Sequence, residues 1–308
     1  MEDYPDHDLS TYNFAQTFLI CIIGYSSIMV LLDFLIKVWQ RRRFNRAKMA
    51  CLNYGYSNSK KNGPKYWKKL FPCCDGENQS PINVETWAAT CVYACEPLKW
   101  SNFENNEPQN MIMINTGTTV MLTGCLYWDK QLTISGGPLE ERSYTLKEIY
   151  FRWGKNNEGS EHALDCVRFP LEIQLRFIDR SNADDVFIAL FCKISPRENP
   201  NFNCLVSSLS EIILPGTATE IPFCYEWLQL PFCYGYYTYP GSFTFPPCCE
   251  KVTWIVNPQP INISSSQVEK FREIRNYHGR IRKNSRPVQS LNYRTVLFYD
   301  DDHSSELS

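Results

Sequence analysis

The chain has 308 residues, 44% apolar and 14% aromatic, enough to bury a full core in one large domain or two small ones. That composition excludes disorder except at the ends. A net charge of -2, from 31 basic and 33 acidic residues, makes no electrostatic case for nucleic acid, and no such partner is expected.

Along the chain the charge is uneven. Residues 1–16 carry Glu2, Asp3, Asp6 and Asp8 and no Lys or Arg. Thr17 to Ile36 is mostly apolar, interrupted by Gly24, Ser26, Ser27 and Asp33. About twenty such residues cross a hydrocarbon layer of roughly 30 Å, so a single-pass transmembrane anchor is expected over 17–39. One alternative is a cleaved signal peptide, but the positive flank follows the apolar run instead of preceding it, and no small-residue cleavage site ends it. The other is a buried soluble helix, which Asp33 favours, since a lone carboxylate costs about 2.5–3.5 kcal/mol at mid-bilayer.

From Lys37 to Lys69 there are eleven basic residues and no acid. The basic juxtamembrane segment 40–52, with Arg41, Arg42, Arg43, Arg46 and Lys48, would hold the following domain in the cytoplasm. Fourteen cysteines and the sequons Asn78-Gln79-Ser80 and Asn262-Ile263-Ser264 point instead to a lumen or the cell exterior. The charge bias is the more direct physical signal, and the cytoplasmic side is expected on that ground.

A domain follows over 53–299. Strands are expected at Met111–Ile114, Thr119–Leu122, Leu132–Ile134, Ile149–Trp153, Leu171–Phe177, Val186–Ile194 and Val252–Val256, with Pro, Gly and Asn between them. A helix is expected at Ser265–Arg275, opened by serines with Glu269 in its first turns. Residues 300–308 read as an acidic, frayed tail.

Within that domain Tyr150-Phe151-Arg152-Trp153-Gly154 is followed by Gly159-Ser160-Glu161-His162. Before it come Tyr54-Gly55-Tyr56, Asn62-Gly63-Pro64, Trp67, Gln79-Ser80-Pro81-Ile82-Asn83 and Gly136-Gly137-Pro138-Leu139. After it come Tyr239-Pro240-Gly241-Ser242-Phe243-Thr244, Pro246-Pro247, Val252-Thr253-Trp254, Arg286-Pro287 and Leu291-Asn292. In this order, from about Tyr54 to Phe298, the series resembles the α-carbonic anhydrase family. The resemblance implies a mixed α+β, mainly β fold with a large central, twisted, mostly antiparallel sheet and surface helices. It also implies zinc as cofactor and carbonate dehydratase activity.

The family's three zinc-binding imidazoles fall, on this resemblance, at Tyr150, Arg152 and Gln174. Positions i and i+2 of a strand share a face, which suits the first two. None of the three is an ordinary zinc ligand, and Arg152 is a permanent cation without a lone pair. The chain holds only His7, His162, His278 and His303. His7 precedes the apolar run, His303 lies in the tail, and His162 matches a structural histidine, so one imidazole remains and no metal or other cofactor is expected. Glu161 and Thr244 match the residues that orient zinc-bound hydroxide, and Trp254 matches a pocket tryptophan. Thr118 stands where the proton-shuttle histidine would be, and Arg176, Phe245 and Tyr237 replace pocket-wall residues.

Alternation places Glu172, Gln174 and Arg176 on one face beside Tyr150 and Arg152. A buried ion-pair network of the two arginines with Glu148, Glu161 and Glu172 is expected to replace the metal's charge, the alternative being a small anion or partner carboxylate held by Arg152 and Arg176. Cys74 and Cys248 match the disulfide of extracellular family members, which would put the domain in a lumen or outside. A four-thiolate zinc site with Cys73 and Cys249 is the less expected alternative, because adjacent pairs lack the usual spacing. Cys125, Cys166 and Cys192 read as small core residues. The expected function is a membrane-anchored, catalytically inactive carbonic anhydrase-related protein that binds another protein. The alternatives are a hydratase or esterase with an unrecognised metal, and an anion sensor.

Overall fold

Alternation of side chains along two neighbouring strands organises the domain. Every second residue, Ile149, Phe151 and Trp153 on one strand and Leu171, Ile173, Leu175 and Phe177 on the next, is buried in the same apolar cluster. The intervening residues, Tyr150 and Arg152, and Glu172, Gln174 and Arg176, therefore point to the opposite face. Each large apolar side chain so buried contributes about 1.5–3 kcal/mol.

The computed structural model describes residues 54–57, 60–93, 96–102, 109–124, 131–156, 158–179, 184–223, 228, 230, 232 and 235–300. The expected segments 1–16, 17–39 and 40–52, the tail beyond Asp300 and Cys125 lie outside them. Among the described residues no helix is long and apolar enough to cross a membrane.

Twelve strands form the central sheet among the described residues. They are β1 (Thr90–Val92), β2 (Lys99–Ser101), β3 (Gln109–Asn115), β4 (Val120–Thr123), β5 (Thr133–Ser135), β6 (Tyr144–Trp153), β7 (Leu171–Ile178), β8 (Asp185–Ser195), β9 (Ala218–Phe223), β10 (Tyr236–Ser242), β11 (Glu250–Ser264) and β12 (Leu297–Tyr299). Their order is β9, β3, β4, β6, β7, β8, β11, β10, β12, β1, with β5 pairing β6 and β2 pairing β5. Only β8 with β11 and β12 with β1 run parallel, so the sheet is mixed but mostly antiparallel. Among the described residues the α-helices are α1 (Pro64–Leu70), α2 (Asn203–Ser208) and α3 (Ser265–Arg272), all short.

All seven expected strands are present, and the differences lie at their ends. The longest is β11, which continues eight residues beyond Val256 through Pro258 and Pro260. Prolines lack the ladder donor, and here they sit in an irregularity, the pairing passing from Leu190 with Asn257 to Cys192 with Ile261. α3 begins as expected with a capping box between Ser264 and Gln267. It ends earlier, because Arg275 leaves it to pair with Arg280 in a two-residue ladder. Before β6 the chain turns at Gly136, whose φ is 74° and where a Cβ would lie 2.3 Å from the Pro97 carbonyl, so only glycine fits.

Candidate functional site

The antiparallel register of β6 and β7 sets Glu148 opposite Arg176, Tyr150 opposite Gln174, and Arg152 opposite Glu172. This is the face that alternation assigned away from the larger apolar cluster, and it is buried: Arg152 is 1% exposed, Glu172 and Gln174 0%. An isolated charge there would be prohibitively costly, so its contacts decide what the site is.

Arg152 Nε donates to Gln174 Oε1 at 3.0 Å and lies 3.3 Å from Glu161 Oε2. Nη1 donates to the Tyr56 hydroxyl at 2.9 Å. The guanidinium carbon stands 5.3 Å from the Phe245 ring centre and 5.7 Å from that of Tyr150, within cation–π range. Nη2 is buried without a hydrogen-bond partner. Burial works against the charge, yet Glu161 foremost, with the surrounding tyrosines, outweighs it and raises the pKa.

Gln174 joins the carboxylates. Its Nε2 donates to Glu161 Oε2 at 2.7 Å and to Glu172 Oε1 at 2.8 Å. The other oxygen of Glu161 accepts from the Arg286 backbone at 2.8 Å. Glu172 accepts from the backbone N–H groups of Glu161 and His162 through Oε2 and meets His162 Nδ1 at 2.9 Å through Oε1. His162 Nε2 is 2.7 Å from the Tyr239 hydroxyl, which places it as a satisfied core residue. Burial opposes the ionisation of Glu172, and the His162 and Gln174 contacts overcome that and hold its pKa below the carboxylate range.

A second cluster forms around Arg176. Its Nη1 donates to Glu148 Oε2 at 2.8 Å, while Nε and Nη2 reach the two oxygens of Asp185 at 3.2 and 3.3 Å. Tyr150 donates its hydroxyl to the same Glu148 oxygen at 2.6 Å. Burial, then the Glu148 charge, raise the Tyr150 pKa, so it stays a donor.

These contacts revise the expected network. Glu172 bonds neither arginine and serves His162, Gln174 and two backbone amides instead. Arg176 is matched by two carboxylates, so the arrangement does not offer its charge to a ligand shared with Arg152. Asp185 completes that neutralisation and is not singled out by the sequence pattern; it opens β8 just after the polar Ser181-Asn182, where no strand period carries over to fix its register. Tyr56 had appeared only as part of an opening motif, with nothing in its local sequence to show that it would receive Arg152.

The residues do not fit zinc. At the three expected ligand positions Tyr150 gives its hydrogen to Glu148, Arg152 has no lone pair, and the Gln174 oxygen is occupied by Arg152. Among the described residues no three His, Cys, Asp or Glu side chains are grouped to hold a metal ion. Thr244 is fully buried and its hydroxyl has no hydrogen-bond partner, while both Glu161 oxygens are taken by other donors. The pair expected to orient a hydroxide is therefore not hydrogen-bonded. Thr118 is buried, 3.3 Å from the Tyr54 hydroxyl, and Trp254 donates to the Ser242 carbonyl.

Cys74 and Cys248 are joined in a buried disulfide, with Cα atoms 4.8 Å apart. Two of the four thiols of the alternative zinc site are thereby consumed, which corrects that alternative. Cys73 and Cys249 are free and exposed, and burial first, then the Cys73 thiol, raise the Cys249 pKa. Cys192 is a core residue as expected, but Cys166 is exposed at a turn with φ 66°, bonded to Asn83.

Comparison with known proteins agrees with this frame. Residues 62–300 match the family described as eukaryotic-type carbonic anhydrase. The chain is 33% identical over 234 residues to carbonic anhydrase 7 of Homo sapiens, covering 72% of this chain and 86% of that one. It is 34% identical over 236 residues to carbonic anhydrase 7 of Mus musculus, covering 73% and 86%. With the family's characteristic segments in order along a mainly β domain built on one large mixed sheet, the chain belongs to the eukaryotic-type carbonic anhydrase family.

Proposed function

We propose that this protein is a carbonic anhydrase-related pseudoenzyme, anchored in a membrane through residues 17–39 and acting as a protein-binding module. The observation that carries the loss of catalysis is the Arg152 guanidinium, which lies at a position where a zinc-binding imidazole is expected and takes the contacts of Gln174 and Glu161. Activating water at neutral pH requires a metal that lowers the water's pKa to about 7. A fixed cation can balance nearby carboxylates but cannot carry a hydroxide as a ligand. Glu161 accepts donors on both oxygens, which leaves no free base beside Arg152.

The protein-binding role follows from what remains once the chemistry is gone: a stable scaffold whose surface can serve a partner. The anchor is supported by the apolar run from Thr17 to Ile36 and the basic residues behind it. Stopped-flow carbon dioxide hydration by the full chain, supplied with excess zinc, tests the first part, and a rate above the uncatalysed reaction overturns it. Protease protection in sealed vesicles tests the second: the domain stays with the membrane and is protected on one side only.

A further inference from the structure

Beside the site, a cleft of about 400 Å³ lies between residues 54–57 with Lys60 and Asn62, the turn at Gly117 and Thr118, and residues 276–283. Lys60, Arg280, Arg282 and Lys283 line it with His278, and among the described residues no Asp or Glu does. Among the described residues none of these five is ion-paired or hydrogen-bonded through its side chain. Arg152 and Arg176, by contrast, are each matched by carboxylates. A concavity lined by one sign of charge focuses its field on an incoming counter-ion.

Tyr56 also lines the cleft, with its hydroxyl accepting from the buried Arg152 Nη1. Arg280 and Arg282 carry planar forks suited to paired contacts with a tetrahedral oxyanion, and the volume is that of a small-molecule site, not of a groove for a helix or a duplex.

We infer that this cleft binds a small molecule carrying two or more phosphate or sulfate groups, held by Lys60, Arg280, Arg282 and Lys283. The inference is independent of what the Arg152 site does.

Calorimetric titration of the detergent-solubilised full chain with inorganic pyrophosphate tests it, with a disulfated disaccharide as a second arm to distinguish phosphate from sulfate. Saturable binding of one equivalent of either is expected, weakened at least about tenfold by Arg280→Ala combined with Arg282→Ala. Lys193→Ala, which removes an exposed cation outside the cleft, should leave the affinity unchanged. Both arginines are exposed, and an unchanged melting curve will show that the double variant folds. No saturable binding at millimolar ligand overturns the inference. So does an equal loss in Lys193→Ala, which would mark diffuse surface attraction, or binding of a glutamate-rich peptide in place of both small anions. None of these outcomes touches the proposed loss of hydratase activity, which is read by zinc content and hydration rate.

Discussion

Gln174 accepts the Arg152 Nε at 3.0 Å on its oxygen and uses its nitrogen to bind Glu161 and Glu172. One neutral amide thus links a buried cation to two buried carboxylates across neighbouring strands. The arrangement balances charge without a metal, although Arg152 Nη2 is left without a hydrogen-bond partner, and removing Arg152 strands Glu161 in the core.

Arg152→Ala should therefore destabilise the domain by about 3–5 kcal/mol, the usual cost of orphaning a buried ionic partner. Arg152→Lys should recover little of it, because one ammonium cannot reach Gln174, Glu161 and Tyr56 as the fork does. Denaturant unfolding of both variants measures this, and a loss under 1 kcal/mol would mean that the guanidinium is not integral to the core.

Tyr150→Phe keeps the ring packed against Phe245 and removes only the hydroxyl that donates to Glu148. Glu148 keeps its contact with Arg176 but loses this donor, and a loss of about 1–3 kcal/mol is expected in the same assay. Tyr150→His should cost at least as much.

Acid should weaken the domain through Glu172. Its pKa in the folded state lies below the ordinary 4.5, so the unfolded chain takes up a proton first as pH falls. The stabilisation is complete above 4.5 and is lost as pH falls toward the lowered value, with a slope of at most about 1.4 kcal/mol per pH unit. Unfolding free energies between pH 6 and about pH 3 should show this slope, and Glu172→Gln should flatten it. An unchanged slope in the variant assigns the acid sensitivity to other carboxylates.

Replacing both Cys74 and Cys248 by alanine opens a loop spanning 174 residues. In the chain-entropy description this costs about 4–5 kcal/mol. Thermal unfolding of the double variant against the oxidised chain checks it. The same loss is expected from the native protein after full reduction.

Much of the domain was legible because period-two alternation is strong where one sheet face is apolar and the other carries polar side chains, as on β6 and β7. What was not legible were pairings set by distant backbone. Pro258 and Pro260 hid the length of β11, because an irregularity tolerates them only opposite a particular partner strand. In the site, the residue types at 150, 152 and 174 already argued against zinc. Which acid takes which arginine depended on register: Glu172 sits directly opposite Arg152 yet turns to His162, while Asp185 and Tyr56 arrive from elements that the local pattern could not place.

The central claim, that the site is built around a guanidinium and not a zinc ion, is tested most directly by elemental analysis of protein purified from zinc-supplemented cells. The native chain should carry far less than one zinc per molecule, and a Tyr150→His, Arg152→His, Gln174→His triple variant, if folded, should gain about one, held by three imidazoles. One tightly held zinc per native chain, lost when Glu161, Glu172 or His162 is replaced, would contradict the account.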